Sequence, residues 1–533
     1  MMKKIQDKLS GALGGISILV MCVLILGCGD SSDSSEKNAS GSGWDNNGDW
    51  APENEPGPSG DADSDADSDA DSDADSDADS DADTDTGEGD EDTDTVKPQE
   101  ECDLENETVL YISADDSNSM AGPVVARSVI QSGGIVNNEI RVYEFLNYYG
   151  FDYEAAEDGH VRVTAEMRTN EQDTYNLQIG VRAPDQDGSD RRPVNITLSL
   201  DTSGSMGGEP INLVRESCLA IAGSLQGGDV ISMVEWSSSQ AVVLDSHLVD
   251  GPDDATLLSK CNSIDSGGST DLHGGLVRAY ELARKNFSSK RINRVILMSD
   301  GGANTGVTDE ELIAKEADDA NGEAIYMMGV GMGEGIYYND LLMDRVTDAG
   351  KGAYVFIDSA EEAQKMFGER FISNIEVAAR DVQVELTMPP TFRMAEFHGE
   401  EYSENPSEVE PQHLAPNDAM IFHQIVESCA PDNVDLTSAI MVEATFEDPF
   451  TGELKADTFE ATLEELLDAK SPLLRKGDAI VAYAEALEAA RKGNALSVLD
   501  DAIETVDYAI NAMPGDGDLV EIRDLLDTYK NRF

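Results

Sequence analysis

The sequence predicts an α/β protein whose central domain is an open, doubly wound and mostly parallel sheet. Two mostly apolar runs, Val194 to Leu200 and Val295 to Ser299, indicate strands that are buried on both faces. A carboxylate follows each run at once, Asp201 after the first and Asp300 after the second. Because ligands of doubly wound sheets bind beyond the carboxyl ends of the strands, these carboxylates predict a site at that edge.

The remaining elements of the central domain follow in chain order. A strand pair flanks the polar turn Ser237-Ser-Ser-Gln240, and a helix and a strand between Leu341 and Asp358 close the domain. The spacing of apolar residues predicts helices at 210–225, 272–287 and 309–320, and strands at 230–236, 241–244, 324–330 and 353–357.

Alternating apolar and polar residues predict half-buried strands on both sides of the central domain. In the simplest architecture the early strands pair with the late ones, so that the central domain is inserted into a β-sandwich-like domain. Two independent domains in sequence order are the alternative. Strands are expected at 161–167, 175–181, 382–388, 420–426 and 439–446, and helices at 124–131, 140–149, 473–491, 495–513 and 519–529. The predicted divisions are an N-terminal flanking region at 107–190, the central domain at 191–378, a β-rich region at 379–466 and a helical module at 467–533.

The first 28 residues predict export and a lipid anchor. Lys3 and Lys4 precede a mostly apolar stretch, Leu13 to Leu26, which is typical of a signal peptide. The stretch runs into Leu24-Ile-Leu-Gly-Cys28, which resembles a bacterial lipobox. The resemblance implies cleavage before Cys28 and acylation of its thiol, so that lipid chains rather than a spanning helix attach the protein to a membrane. Since Gly29 and not Asp follows the cysteine, the same resemblance favours the outer membrane. A plain secretory signal or a membrane anchor is the alternative.

Residues 29–106 predict a disordered acidic stalk. The segment 61–83 repeats Asp-Ala-Asp-Ser, and residues 29–100 contain 26 acidic and 2 basic residues. Dense like charge keeps such a segment unfolded and extended. The formal net charge of the 533 residues is −71, which excludes a general nucleic-acid binder because phosphate contacts need Lys and Arg.

Three short motifs carry oxygen ligands toward the predicted site. They are Asp201-Thr-Ser203-Gly-Ser205-Met, Gly267-Gly-Ser-Thr270 and Ser299-Asp300-Gly. Hydroxyl and carboxylate oxygens suit Mg²⁺ or Ca²⁺. With three hydroxyls and only two carboxylates, the ion stays electron-poor and keeps a coordination position open for an external carboxylate.

These motifs, in this order and spacing, resemble the von Willebrand factor A domain and its metal-ion-dependent adhesion site. The resemblance implies a Rossmann-like sheet and the ligands Asp201, Ser203, Ser205, Thr270 and Asp300 for Mg²⁺ (or Mn²⁺ or Ca²⁺). It also implies a non-enzymatic protein whose protein partner supplies a carboxylate to the metal. The flanks "IRVYEFLNYYGFDYE" at 140–154 and "AARDVQVEL" at 378–386 are similar to a bacterial group of exported or lipid-anchored proteins with this domain.

Other interpretations of the motifs stay open. A structural envelope scaffold with a vestigial metal site is one, and a metal-assisted hydrolase is another. A hydrolase needs a general base near the metal, and no suitable pair of His residues or spare motif carboxylate stands out. Asp115-Asp-Ser-Asn-Ser-Met120 repeats the spacing of the first motif, but without its own Thr loop a turn or helix-capping role is expected.

Four cysteines remain after the signal and the acylated Cys28 are set aside. They are Cys102, Cys218, Cys261 and Cys429, which an exported chain can join in three ways. Cys218 and Cys261 fall on predicted helices of the central domain, and the other two fall in its flanks. The expected pairing is therefore 218–261 with 102–429.

Overall fold

A computed structural model describes residues 104–170, 174–301, 324–333, 335, 338, 340–493 and 495–533, and all structural statements below concern these residues. Residues 1–103, which include the signal, Cys28, Cys102 and all but the last three residues of the predicted stalk, lie outside them, as does the predicted helix at 309–320. Within the described residues, no helix has the length and apolar character needed to cross a membrane.

Two antiparallel sheets form a sandwich. The first has the order β12-β1-β10-β15-β16, with β13 also paired to β10, and the second has the order β11-β14-β3-β2. The inward residues of both sheets, among them Leu110, Ile179, Phe422 and Val442, share one apolar core. The strands are β1 (Thr108–Ile112), β2 (Arg162–Thr169), β3 (Tyr175–Arg182), β10 (Ala379–Met388), β11 (Phe392–Phe397), β12 (Tyr402–Ser403), β13 (Gln412–Leu414), β14 (Ala419–Ser428), β15 (Ala439–Glu447) and β16 (Leu454–Thr462).

Early strands of the sandwich pair with late ones. β1 pairs with β10, where Leu110 lies opposite Leu386, and β3 pairs with β14, where Ile179 lies opposite Phe422. The segment between β3 and β10 forms the third sheet. The chain therefore has the inserted arrangement rather than two domains in sequence order.

The third sheet is mostly parallel, as predicted. Its order is β6-β5-β4-β7-β8-β9, and only the edge pair β5–β6 is antiparallel. Every residue of β4 and β7 is buried, because other elements cover both faces of the sheet. The strands are β4 (Val194–Asp201), β5 (Val230–Trp236), β6 (Gln240–Leu248), β7 (Ile292–Ser299), β8 (Tyr326–Met332) and β9 (Tyr354–Ile357).

Most of the helices pack into the same core as the parallel sheet, whereas Leu463 and Leu466 of the short helix Leu463–Asp468 belong to the sandwich core. A T-shaped contact between Phe145 and Tyr483, with ring centroids 5.5 Å apart, joins the N-terminal flank to the C-terminal helices. A π-helical turn, Lys365–Glu369, lies between α7 and α8. The helices are α1 (Ala121–Gln131), α2 (Val142–Tyr148), α3 (Glu209–Ser224), α4 (Ala255–Cys261), α5 (Leu272–Lys285), α6 (Asp340–Asp348), α7 (Ala360–Gln364), α8 (Phe371–Ile375), α9 (Leu463–Asp468), α10 (Pro472–Arg491), α11 (Ala495–Ala512) and α12 (Gly517–Lys530).

The chain enters and leaves the parallel-sheet domain at adjacent points. Arg192 precedes β4 and Glu376 follows α8, and Nη2 of the arginine lies 2.5 Å from Oε1 of the glutamate. Strand β4 runs from this crossing to Asp201 at its far end. The carboxyl edge of the sheet therefore faces away from the point where the sandwich is attached.

Several strands of the sandwich were not predicted. β16 lies at a sheet edge and exposes alternate residues, so its apolar content is too low to stand out. β11 is interrupted by a register shift between Met394 and Glu396, which breaks the period of two on which the prediction depends.

Candidate metal centre

Asp201 ends strand β4 and is completely buried. Its Oδ1 accepts a hydrogen bond from the Ser203 backbone N–H at 2.8 Å, and its Oδ2 accepts one from the Ser299 hydroxyl at 2.8 Å. Burial raises the pKa of the Asp201 carboxyl above its usual range and Asp300 raises it further, while these hydrogen bonds oppose the rise. A bound cation would stabilise the ionised form of this oriented, desolvated carboxylate.

Ser203 and Ser205 lie on the turn directly after Asp201. Ser203 is buried and starts the 3₁₀ turn Gly204–Met206, whereas Ser205 is exposed. Their hydroxyl oxygens are 3.0 Å apart. Two neighbouring ligands of an octahedral Mg²⁺, each about 2.1 Å from the ion, are also about 3.0 Å apart. The donor set and this spacing therefore fit the ion that the sequence motifs imply.

A second loop is fastened to this turn by backbone hydrogen bonds. Gly267 N–H donates to Thr202 O at 2.7 Å, and Gly204 N–H donates to Gly268 O at 3.0 Å. Gly268 has φ +97°, a conformation that strains any residue with a Cβ. Thr270, which is half-buried, follows two residues later. The glycines thus let the two loops approach closely enough to place Thr270 beside the first motif.

The helix after Thr270 is anchored at its first turn. Asp271 caps α5 by accepting from Gly274 N–H at 3.0 Å, and its other carboxylate oxygen accepts a short hydrogen bond from the Gln240 side chain. A Cβ added to Gly275 would lie 2.5 Å from the Trp236 ring, so α5 packs directly on that indole. These contacts fix the loop that carries Thr270.

Asp300 follows β7, the parallel neighbour of β4. Leu200 lies opposite Met298 in the register of the two strands, so the carboxylates of Asp201 and Asp300 leave adjacent strand ends. Asp300 is half-buried, and its charge contributes to the raised pKa of Asp201. Residues 302–323, which continue the chain beyond it, lie outside the described part of the structure.

Ser299 was quoted above only as part of the third motif, and the structure places its hydroxyl against Asp201 at the candidate site. It is buried at the end of β7, donates to Asp201 and accepts from Gly301 N–H at 3.2 Å. It therefore couples the first and third motifs without being a proposed ligand. Its position immediately before Asp300, at the end of a buried strand, is the signal that could have revealed it.

The second Asp-x-Ser-x-Ser sequence has a different environment. Ser117 is buried, and its hydroxyl accepts from Ala415 N–H at 3.0 Å. Asp116 accepts a short hydrogen bond from His413 N–H. The Asn147 amide donates to three carbonyls of this segment, including Asp116 O at 3.1 Å. These side chains fasten the segment to β13 and α2, as expected of a turn.

One disulfide lies within the parallel-sheet domain. Cys218 on α3 and Cys261 on α4 are joined, and their Cα atoms are 5.6 Å apart. Cys429 is also disulfide-bonded, while Cys102 lies outside the described residues. The first bond ties α3, which follows the Asp201 turn, to the segment that leads into the Thr270 loop.

The parallel sheet and its loops match a known family. Residues 195–385 match the model of the von Willebrand factor type A domain. The protein therefore contains a von Willebrand factor type A domain, and its mixed α/β fold class is as predicted from the sequence. Domains of this family often mediate protein–protein interactions.

Curated relatives share this region. The chain is 29% identical over 269 residues to the uncharacterized protein YfbK of Escherichia coli, an alignment of 48% of this chain and 45% of YfbK. It is 24% identical over 219 residues to the uncharacterized protein sll0103 of Synechocystis, covering 41% and 50%. Human inter-alpha-trypsin inhibitor heavy chain H1 is 24% identical over 247 residues, covering 44% and 26%. The chain thus spans half or less of the length of these relatives.

Solved structures match this chain at lower sequence identity than the curated relatives do. A von Willebrand factor type A protein from Catenulispora acidiphila is 13% identical, with 80% of this chain and 98% of that one covered at a TM-score of 0.42. The ArnB paralog VWA2 from Sulfolobus acidocaldarius is 16% identical, with 70% and 98% covered at a TM-score of 0.37.

Proposed function

We propose that this protein is a non-enzymatic, lipid-anchored protein of the bacterial cell envelope that binds a protein partner through a divalent metal ion. Asp201, Ser203, Ser205, Thr270 and Asp300 would hold the ion. The observation that carries the proposal is the convergence of three separate motifs at one sheet edge, where two backbone hydrogen bonds join the loops and Ser299 links Asp201 to the Asp300 strand end.

The ligand set decides the kind of partner. An ion held by hydroxyls and two carboxylates retains positive charge, and it would supply a binding position for a further carboxylate. Ser205 is exposed, and Thr270 and Asp300 are half-buried, so the site is open to a partner. A protein with an acidic side chain on its surface fits this position, and Mg²⁺ is the ion expected, with Mn²⁺ or Ca²⁺ as substitutes.

The metal part of the proposal is tested by calorimetry on the full-length protein. We expect saturable Mg²⁺ binding that is lost in Asp201→Ala and weakened at least tenfold in Thr270→Ala. Asp265→Ala is the matched control, because this carboxylate lies in the same loop but is 90% exposed. The acidic segment 61–83 is present in every variant. Any weak Mg²⁺ binding by this segment is therefore the same in all samples and does not affect the comparison between them. Equal binding by Asp201→Ala and the unmutated protein would refute the site.

The partner part is tested by capture from envelope extracts. A partner that is retained with Mg²⁺, released by a chelator and lost with Asp201→Ala supports a metal-bridged interaction. Capture that is unaffected by both changes would instead support a scaffold with a vestigial site.

The location is proposed from the sequence alone. Cys28 would be diacylated and would become the new N-terminus after cleavage, and the acidic segment that follows would hold the folded domains away from the outer membrane. Metabolic labelling with a palmitate analogue should mark the unmutated protein and Cys22→Ser but not Cys28→Ser. Labelling of Cys28→Ser at the unmutated level would contradict the anchor.

A further inference from the structure

A cluster of metal-ligating side chains lies far from the Asp201 site, where helix α10 crosses the sandwich. Glu396 and His398 come from the end of β11, and Glu485 comes from α10. One ligand atom from each residue lies within 4.8 Å of the others. The three side chains meet only because the C-terminal helices pack on the second sandwich sheet.

The packing of α10 on the sheet explains why Glu485 reaches the edge strand. One point of contact is Asp478, whose Oδ1 lies 3.1 Å from His423 Nε2 on β14. Glu485 follows Asp478 by two helical turns, on the same face and about 10 Å further along the axis. Because neighbouring strands are about 4.8 Å apart, this displacement carries Glu485 from the middle of the sheet to its β11 edge.

The register of β11 puts Glu396 and His398 on the same side. Glu396 lies opposite Ile425 after the register shift, and His398 N–H donates to His423 O at 3.0 Å. The rings of His398 and His423 are 5.2 Å apart, so the imidazole of His398 stands on the face that α10 covers. Residues two apart on a strand share a face, which directs Glu396 toward the same helix.

His398 gives the cluster a ligand that a chance group of surface carboxylates lacks. It is only 6% exposed, so its imidazole lies among protein atoms rather than in bulk solvent. Within the described residues, its side chain makes no hydrogen bond that would occupy the ring nitrogens. A mostly buried imidazole that shares no hydrogen bond with the described residues is available to coordinate a metal ion.

The two carboxylates have no basic partner in the described part of the chain. The Glu485 side chain is exposed, and its carboxylate has an oxygen within 4.8 Å of a carboxylate oxygen of Glu396. The basic residues nearest to Glu485 in sequence, Arg491 at the end of α10 and Lys492 directly after it, pair with Glu488 instead. A divalent cation would neutralise the repulsion between Glu396 and Glu485.

We propose that Glu396, His398 and Glu485 form a second metal site, which binds a Zn²⁺-type transition-metal ion and fastens α10 to the edge of the sandwich. One imidazole nitrogen with two carboxylate oxygens favours Zn²⁺ over Mg²⁺, which prefers oxygen alone. Ligands of tetrahedral Zn²⁺ at about 2.0–2.1 Å are about 3.4 Å apart. The ligand atoms are up to 4.8 Å apart, and rotation of the two exposed glutamate side chains would bring them to this distance. A solvent molecule would take the fourth coordination position.

The test uses the full-length protein with Asp201→Ala in every sample, so that its outcome does not depend on the first metal site. Zn²⁺ is titrated by calorimetry in the presence of excess Mg²⁺, which occupies the acidic segment 61–83. We expect one tight Zn²⁺ equivalent, weakened at least tenfold by His398→Ala and by Glu485→Gln. Glu488→Gln is the matched control on the same helix and should bind as the parent does.

Thermal unfolding gives a second measurement. It compares the melting temperature of each protein with and without Zn²⁺, so the variants do not have to be equally stable. Zn²⁺ should raise the melting temperature of the parent and of Glu488→Gln, because a ligand that binds only the folded state stabilises it. Glu485→Gln changes an exposed side chain and is expected to fold, but the same Zn²⁺ concentration should raise its melting temperature by less than it raises that of the parent. Tight Zn²⁺ binding that is the same in the parent and in Glu485→Gln, or no tight binding in the parent, would overturn the proposal.

Discussion

Replacement of Ser299 by alanine should weaken metal binding although Ser299 is not a proposed ligand. The Ser299 hydroxyl donates to Asp201 Oδ2 at 2.8 Å, and both residues are buried. Without that hydrogen bond one oxygen of the carboxylate loses the contact that orients it. The same hydroxyl accepts from Gly301 N–H, so the backbone next to Asp300 also loses a partner.

The expected size of the effect follows from these contacts. Loss of an outer hydrogen bond to a metal ligand typically lowers affinity by about 10–100-fold. This corresponds to about 1.4–2.7 kcal/mol of binding free energy. Removal of a hydrogen bond to a charged group also costs about 1.5–3 kcal/mol of folding stability, which leaves most of the protein folded.

Calorimetric titration of the full-length protein with Mg²⁺ measures this change. Ser263→Ala is the control, because its exposed hydroxyl donates to Lys260 O on the surface of the same domain. Circular dichroism checks that both variants are folded. A Mg²⁺ affinity of Ser299→Ala within twofold of the control would refute the coupling between Ser299 and the metal.

Three further predictions concern stability. Asp229→Asn should lower the free energy of unfolding by about 3–5 kcal/mol, because it leaves the buried Arg191 guanidinium without its carboxylate; chemical denaturation measures this, and a loss below 1 kcal/mol would contradict it. Cys218→Ser combined with Cys261→Ser should lower the free energy of unfolding by about 2–4 kcal/mol and should lower the melting temperature. An unchanged melting temperature would show that the disulfide adds no stability. Burial raises the pKa of Asp116 to about 6, so the folded state binds a proton at this carboxyl more tightly than the unfolded state does. Proton binding therefore stabilises the folded state at acid pH, and this stabilisation is lost as pH rises from about 4 through 6. The free energy of unfolding of Asp116→Asn should therefore rise by up to about 3 kcal/mol relative to that of the unmutated protein between pH 4 and pH 7. Chemical denaturation at both pH values measures this, and a difference between the two proteins that does not change with pH would refute it.

The inserted architecture has a consequence for the proposed partner interaction. The parallel sheet is attached to the sandwich at the amino end of β4, where Arg192 and Glu376 pair. The Asp201 site lies at the opposite end of the same strand. A partner at the proposed metal site could therefore approach it without contacting the sandwich, which would leave the sandwich and the C-terminal helices to support the parallel-sheet domain.

The candidate site could be predicted from the sequence because each of its motifs consists of residues that are neighbours along the chain. A strand buried on both faces is a continuous apolar run, and a polar residue directly after it must lie at the sheet edge. Asp201 and Asp300 were identified on that basis, and the Gly267-Gly-Ser-Thr270 motif carries the glycine that the close loop approach requires. The family resemblance of the three motifs then implied their common purpose.

Other features of the protein depend on contacts between distant parts of the chain. The pairing of β1 with β10 joins residues more than 270 positions apart, and several strand orders satisfy the same alternation of residues. β16 and β11 escaped prediction because an edge position and a register shift weaken the periodic pattern.

The sequence by itself determined the class of the central domain, the three motifs and the ends of the strands that carry them. Periodicity and motif spacing are properties of neighbouring residues, so they can be seen before folding. Only the tertiary structure decided that Ser299 orients Asp201, that two backbone hydrogen bonds place the Thr270 loop, and that Glu396, His398 and Glu485 meet. These arrangements are set by strand order and by the packing of α10 on a sheet, since the residues concerned are adjacent in space and remote along the chain.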